Sequence, residues 1–282
     1  MDIFATPVAR LLRVPIVITA QLSFRSMYKP LEKTVLRMTD WLSDSIVVNS
    51  RAVGKSLERQ AGFPGKKIYL CYNGVNPDEF YPGPGICVEA LEGASLVVGA
   101  VCVMRPEKRL DWIVRSFAEV RQIDPGMRLL LVGSGPEVPG LMALTEQLGI
   151  RELCHFEPGQ AEVAGWMRAI DIYINSSSSE SFPNALLEAM ACGCCPIGSS
   201  VGGIPELIAH MENGLVFDSE KPEQLTEMLR LAVSNRDLRE QFRERAVVTA
   251  RERFSLETAV RRTEALYESL LERRGIKAPA GV

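Results

Sequence analysis

Two carboxylates stand eight positions apart in the stretch Ser178-Ser179-Glu180-Ser181-Phe182-Pro183-Asn184-Ala185-Leu186-Leu187-Glu188-Ala189-Met190. Pro183 suits the first turn of a helix, where its missing N–H costs nothing. At about 100° per residue, Ala185, Leu186, Ala189 and Met190 share one apolar arc, and Asn184 and Glu188 lie about 40° apart on the opposite side. Glu180 precedes the helix. Two carboxylates therefore flank a helix N-terminus, which offers N–H groups and a positive dipole end to phosphate. Carboxylates there can accept hydrogen bonds from sugar hydroxyls. A first-turn Glu that only steadies the dipole gives the same pattern.

Three further segments have chemical content. Met104-Arg105-Pro106-Glu107-Lys108-Arg109 carries three cations that could hold a diphosphate, Arg as a fork and Lys as a point charge. A solvated turn before a helix reads equally. Gly133-Ser134-Gly135-Pro136 offers bare backbone ahead of another helix. It is neither a dinucleotide fingerprint, since the next glycine is Gly140, nor a P-loop, since no Gly-Lys-Ser/Thr follows. Gly202 and Gly203, in Ser200-Val201-Gly202-Gly203-Ile204-Pro205-Glu206, extend the same theme, and both glycine pairs also suit plain turns. The cluster Cys192-Gly193-Cys194-Cys195 lacks a second ligand pair at zinc spacing, and His155 and His210 are the only histidines, so no metal site is expected.

The elements around these segments alternate. Short β-rich runs cover 15–19, 45–48, 67–71, 96–103, 128–132, 154–156, 170–175, 196–199 and 214–217. Helical spacing marks 31–42, 110–123, 138–148, 182–192, 222–233, 237–253 and 256–271. Continuous apolar strands alternating with helices predict parallel sheets covered by helices. Residues 77–93, rich in Pro and Gly, break the pattern. The expected division is therefore a partial N-terminal domain at 1–82, a linker at 83–93, a second domain at 94–254, and a C-terminal helix at 255–282 that returns toward the first domain and ends in a frayed tail around Gly275 and Pro279.

The 282 residues are 46% hydrophobic and 24% charged, which excludes a disordered chain, a collagen, a coiled coil and a small disulfide scaffold. No apolar run reaches the ~18 residues of a membrane span, and no signal peptide is evident. Seven cysteines, an odd number without an export signal, read as reduced thiols in the cytoplasm. Residues 1–82 carry 11 Lys and Arg against 7 Asp and Glu; the remainder carries 21 against 28. The basic first part suits peripheral contact with an anionic membrane face or an acidic substrate, although scattered solvated lysines give the same count. The overall acidity disfavours nucleic acid.

Taken together, these residues resemble the family 4 (group 1) nucleotide-sugar glycosyltransferases of the GT-B fold. Glu180-x7-Glu188 within ESFPNALLEAMACG is similar to that family's hallmark. Leu131 to Pro136 and Val201 to Glu206 fall in the expected order around it. The resemblance is strong over 94–220 and looser over 35–82, through Ile46 to Ser50 and Tyr72 to Asn76. It implies two Rossmann-like α/β domains of parallel strands, the N-terminal one incomplete here. It implies a hexosyltransferase that moves sugar from a nucleotide diphosphate donor to a glycolipid, polysaccharide or small-molecule acceptor, with retention and with no cofactor or metal.

By that resemblance, Arg105 and Lys108 hold the donor diphosphate, Glu180 meets the donor sugar and Glu188 the ribose. Backbone at Phe182, Pro183 and Asn184, with Gly133, Ser134, Gly135, Gly202 and Gly203, completes the donor site. Phe156 to Gln160 lies near the base. The chain also departs from the family pattern. Ala100-Val101 stands where Gly-Arg is usual, Ser181 replaces a Gly, and Ile18 to Gln21 holds no histidine where the family has one. Members usually extend further at the N-terminus. A half sheet leaves an open strand edge, so association through that edge is expected. A nucleotide-sugar-binding fragment or partner subunit without catalysis of its own is the alternative, and an epimerase of the same fold a third.

Overall fold

A computed structural model describes residues 2–276. The end of the expected tail, with Pro279, lies outside the described residues. The helices and strands run in chain order α1 (Asp2–Leu11), β1 (Ile18–Gln21), α2 (Pro30–Trp41), β2 (Ser45–Val48), α3 (Arg51–Ala61), β3 (Ile68–Leu70), β4 (Val97–Val101), α4 (Leu110–Val120), β5 (Arg128–Val132), α5 (Val138–Gln147), β6 (Cys154–Glu157), α6 (Ala164–Arg168), β7 (Ile172–Asn175), α7 (Asn184–Ala191), β8 (Cys195–Ser199), α8 (Ile204–Leu207), β9 (Leu215–Phe217), α9 (Pro222–Ser234), α10 (Arg236–Arg253) and α11 (Leu256–Arg273). The chain forms two compact units, one reaching Gly74 and resuming at Leu256, the other Val75–Ser255.

The first unit holds three parallel strands in the order β1-β2-β3. Ser50 caps α3 by accepting from the Val53 N–H, and Gly62 ends that helix in the left-handed region. The apolar core is small: Ile46, Val48, Val53, Leu57 and Phe63. Strand β1 starts three residues later than the run 15–19 predicts. Its face is polar: Thr19 donates to Ser43, and Gln21 accepts from Arg25, whose guanidinium is 2.6 Å from Asp40. Asp44 binds the Val17 N–H, Arg10 and Arg274. Apolar side chains stay outside, with Leu11 82% and Trp41 63% exposed.

The second unit is a six-stranded parallel sheet in the order β6-β5-β4-β7-β8-β9. Its registers include Val98↔Leu129, Val98↔Ile172 and Ile197↔Leu215. Because Leu129, Leu130 and Leu131 are all fully buried, both sheet faces are covered. Ile113 and Phe117 of α4 fill one side. Residues 77–93 contain no strand or α-helix, only the 3-10 turn Glu89–Leu91. They are nevertheless packed: Phe80 is buried and the Ile86 N–H donates to the Gly165 carbonyl. No helix among the described residues is long and apolar enough to cross a membrane.

Candidate active site

The strand order itself locates a site. From β4 the chain winds outward to β5 and β6, then returns to β7 on the other side of β4. The loops after β4 and β7 therefore diverge at a topological switch point, the place where open parallel sheets bind ligands.

The loop after β4 ends in the 3-10 turn Pro106–Lys108, and the loop after β7 leads into α7. Lys108 Nζ donates to Glu180 Oε2 at 2.6 Å, with the side chains 23% and 16% exposed. Two residues 72 apart in sequence thus form a half-buried ion pair at the switch point. Arg105 lies differently: it is 59% exposed, with its guanidinium 4.0 Å from Glu107. Arg109 is no ligand-facing cation. It has a left-handed backbone (φ 48°), lies 4.6 Å from the centre of the Trp112 ring, and donates to the Ser219 carbonyl. It is a strut between the loops after β4 and β9.

The serines preceding Glu180 tie the two loops together. Ser176 Oγ donates to the Lys108 carbonyl at 2.7 Å and approaches that of Arg109 at 3.1 Å. The Ser178 N–H donates to the Glu107 carbonyl. Ser177 Oγ donates to Glu180 Oε2 at 3.3 Å, and Ser199 of β8 donates to the Ser177 carbonyl at 2.6 Å.

Each glycine pair has a specific reason. A Cβ on Gly202 (φ 54°) would lie 1.4 Å from the Glu180 carbonyl oxygen, and one on Gly203 2.4 Å from that of Ser181. The Gly203 N–H donates to the Glu180 carbonyl. A Cβ on Gly133 (φ 141°) would lie 1.8 Å from the Cys102 carbonyl oxygen, and one on Gly135 2.2 Å from that of Met104. The bare backbone thus admits neighbouring loops rather than leaving an open cradle. Ser134 accepts the Met104 N–H on its carbonyl and the Gly159 N–H on its hydroxyl.

Helix α7 begins at Asn184, which is exposed; Pro183 precedes it as the cap, one position earlier than the first-turn placement. The Phe182 ring is buried, its centre 5.9 Å from that of Phe254. Burial pushes the Glu188 carboxyl above its ordinary value, and the charge of Glu79 adds to the rise. Glu79 belongs to the Pro- and Gly-rich stretch 77–93, and nothing local pointed to it. Cys102, near both members of the ion pair, is pushed up to about 11 by burial and stays a neutral thiol. Cys192, Cys194 and Cys195 are buried, and the Cys194 thiol donates to the Met167 carbonyl at 3.2 Å. Among the described residues, no group of three or more His, Cys, Asp or Glu could hold a metal ion.

Comparison with known proteins decides the family. The family described as "Glycosyl transferases group 1" matches residues 89–248, and "Glycosyltransferase Family 4" matches 2–79. The chain is a group 1 glycosyltransferase. This glycosyltransferase is 34% identical, over 247 residues, to the D-inositol 3-phosphate glycosyltransferase of Segniliparus rotundus, covering 84% of this chain and 54% of that one. It is 31% identical, over 212 residues, to the N-acetyl-alpha-D-glucosaminyl L-malate synthase of Bacillus anthracis, covering 74% and 55%. The chain spans about half the length of these curated relatives. Its structure is similar to that of Anabaena Alr3699/HepE in complex with UDP, with a TM-score of 0.85, 20% identity, and coverage of 95% of this chain and 76% of that one. The fold is GT-B, as the sequence implied.

Proposed function

We propose that this glycosyltransferase binds a nucleoside diphosphate sugar at the switch point of residues 75–255 and transfers a hexose-type sugar to an acceptor hydroxyl, with retention and without a metal. The Lys108–Glu180 pair, beside the N-terminal turn of α7, is the observation that carries this reading. In the transfer, the bond from the anomeric carbon to the diphosphate breaks, a bond to the acceptor oxygen forms on the same sugar face, and the acceptor's hydroxyl proton passes to the departing diphosphate oxygen. The charge left on the diphosphate is met by Lys108, Arg105 and the α7 backbone N–H groups, a stabilisation that grows as the bond breaks. Glu180 accepts from the donor sugar's hydroxyls and Glu188 from those of the ribose. Gly133, Ser134, Gly135, Gly202 and Gly203 let the surrounding loops pack closely and so shape the donor site. The names of the two relatives point to small anionic acceptors, and the excess of cations in residues 1–82 supports that class.

Calorimetric titration with UDP, GDP and ADP tests the donor site. One nucleotide binds at micromolar strength, and Glu188→Ala loses about 1–3 kcal/mol of that binding, as for a hydrogen bond to a charged group. If none of the three binds, the reading falls.

A further inference from the structure

The serine run before Glu180 has two buried members whose hydroxyls point to opposite partners. Ser176 and Ser177 are both all but inaccessible to solvent. Buried hydroxyls must be satisfied, and most find a local backbone carbonyl. These do not. Ser176 reaches across to the loop after β4 and fixes the backbone of Lys108, whose ammonium makes the ion pair. Ser177 binds the same carboxylate oxygen, Oε2 of Glu180, that Lys108 binds. Ser177 is itself held from two sides: its N–H donates to the Asn175 side chain at 3.2 Å, and its carbonyl accepts from Ser199 of β8. The backbone that carries its hydroxyl is therefore anchored to β7 and β8.

We infer that Ser176 and Ser177 are positioning residues that set the spacing between the Lys108 ammonium and the Glu180 carboxylate, one by holding the backbone that carries the cation and the other by holding the anion. The inference rests on the proposed donor site, because that pair is where diphosphate and sugar would meet. Each lone pair on Oε2 has a defined donor, so the carboxylate cannot rotate without breaking two hydrogen bonds. Its other oxygen, Oε1, is then aimed by the same constraint.

The test reads the pair without any donor. In protein labelled with 15N-lysine, the Lys108 ammonium gives a slowly exchanging NMR signal at neutral pH, assigned by its loss in Lys108→Arg. Ser177→Ala and Ser176→Ala each abolish that signal, while Ser177→Thr, which keeps the hydroxyl, restores it. The ammonium of Lys67, bound to the Ser43 carbonyl in the other unit, is the internal control and keeps its signal throughout. If Ser177→Ala does not fold, Ser177→Cys replaces it. The inference is overturned if the signal survives in both alanine variants, if Ser177→Thr does not restore it, or if the unsubstituted protein shows none. UDP titration of the same samples judges the donor site separately: binding without the NMR signal would spare the donor site and remove the serines' role.

Discussion

The two parallel sheets are built by the same βαβ logic and reach different degrees of closure. In residues 75–255, six strands are covered on both faces, and consecutive leucines of β5 are all buried. In the other unit, three strands support a five-residue apolar core, and the β1 face carries Thr19 and Gln21 tied into the Arg25–Asp40 pair. Helices α1 and α2 leave Leu11, Leu31 and Trp41 in solvent. The three-stranded sheet, with its polar β1 face, buries less of its helices than the six-stranded one. The larger sheet brings together loops distant in sequence, and its switch point carries the ion pair.

Paired core substitutions test that contrast most strongly. Leu131→Ala costs about 2–5 kcal/mol, whereas Leu11→Ala shifts stability by no more than about 0.5 kcal/mol. Urea unfolding separates them: with Trp41→Phe, Trp112 and Trp166 report on residues 75–255 alone, and with Trp112 and Trp166 replaced by Phe instead, Trp41 reports on the other unit. A large loss from Leu11→Ala would mean that α1 is covered in solution, and the contrast would vanish.

A smaller effect separates glycines that admit a neighbour from those that do not. Gly202→Ala costs about 1–3 kcal/mol, because alanine resists the left-handed region and its Cβ meets the Glu180 carbonyl. Gly140, within α5 and with open space around it, gains about 0.5–1 kcal/mol as alanine. The midpoint of urea unfolding reads both, and equal shifts would remove the argument for interlocked loops.

The smallest effect is one of pH. A carboxyl whose folded value is raised contributes stability that is complete below its unfolded value and is lost as pH rises through the folded one. Glu188 is such a group. Glu188→Gln therefore raises Tm at neutral pH, and the gain disappears below the ordinary carboxyl value of 4.5. A gain of the same size at both pH values would show that shape rather than charge is responsible. With Glu188 on the ribose hydroxyls as proposed, nucleotide affinity follows the opposite course in the parent protein, weakening as Glu188 takes up its proton.

Much of the larger unit is legible from residue order, because its strands are continuous apolar runs bounded by Gly and Pro. The run Arg128 to Val132 is the strand as it stands, and Ile170 to Asn175 contains β7. β1 is displaced because Val17, though buried, precedes the ladder, and Gln21 joins it by answering Arg25, a partner that periodicity does not reveal. In the site, carboxylates and cations stand out by type and spacing, but not their division of labour. Arg105 and Arg109 look alike in sequence; their different surroundings come from Glu107 on one side and Trp112 and Ser219 on the other. Ser176 and Glu79 do not stand out in sequence, because Lys108 and Glu188, which they meet, lie far away along the chain.

The mutual fit of the glycine loops also bears on the heat of binding. If a nucleotide binds there as proposed, loops that interlock through Gly133, Gly135, Gly202 and Gly203 have less left to order on binding than open loops would. The ordering entropy that flexible sites lose on binding was spent during folding, so preorganisation favours affinity. The heat-capacity change then reports only the apolar surface that the nucleotide covers, without the larger negative contribution that accompanies coupled folding.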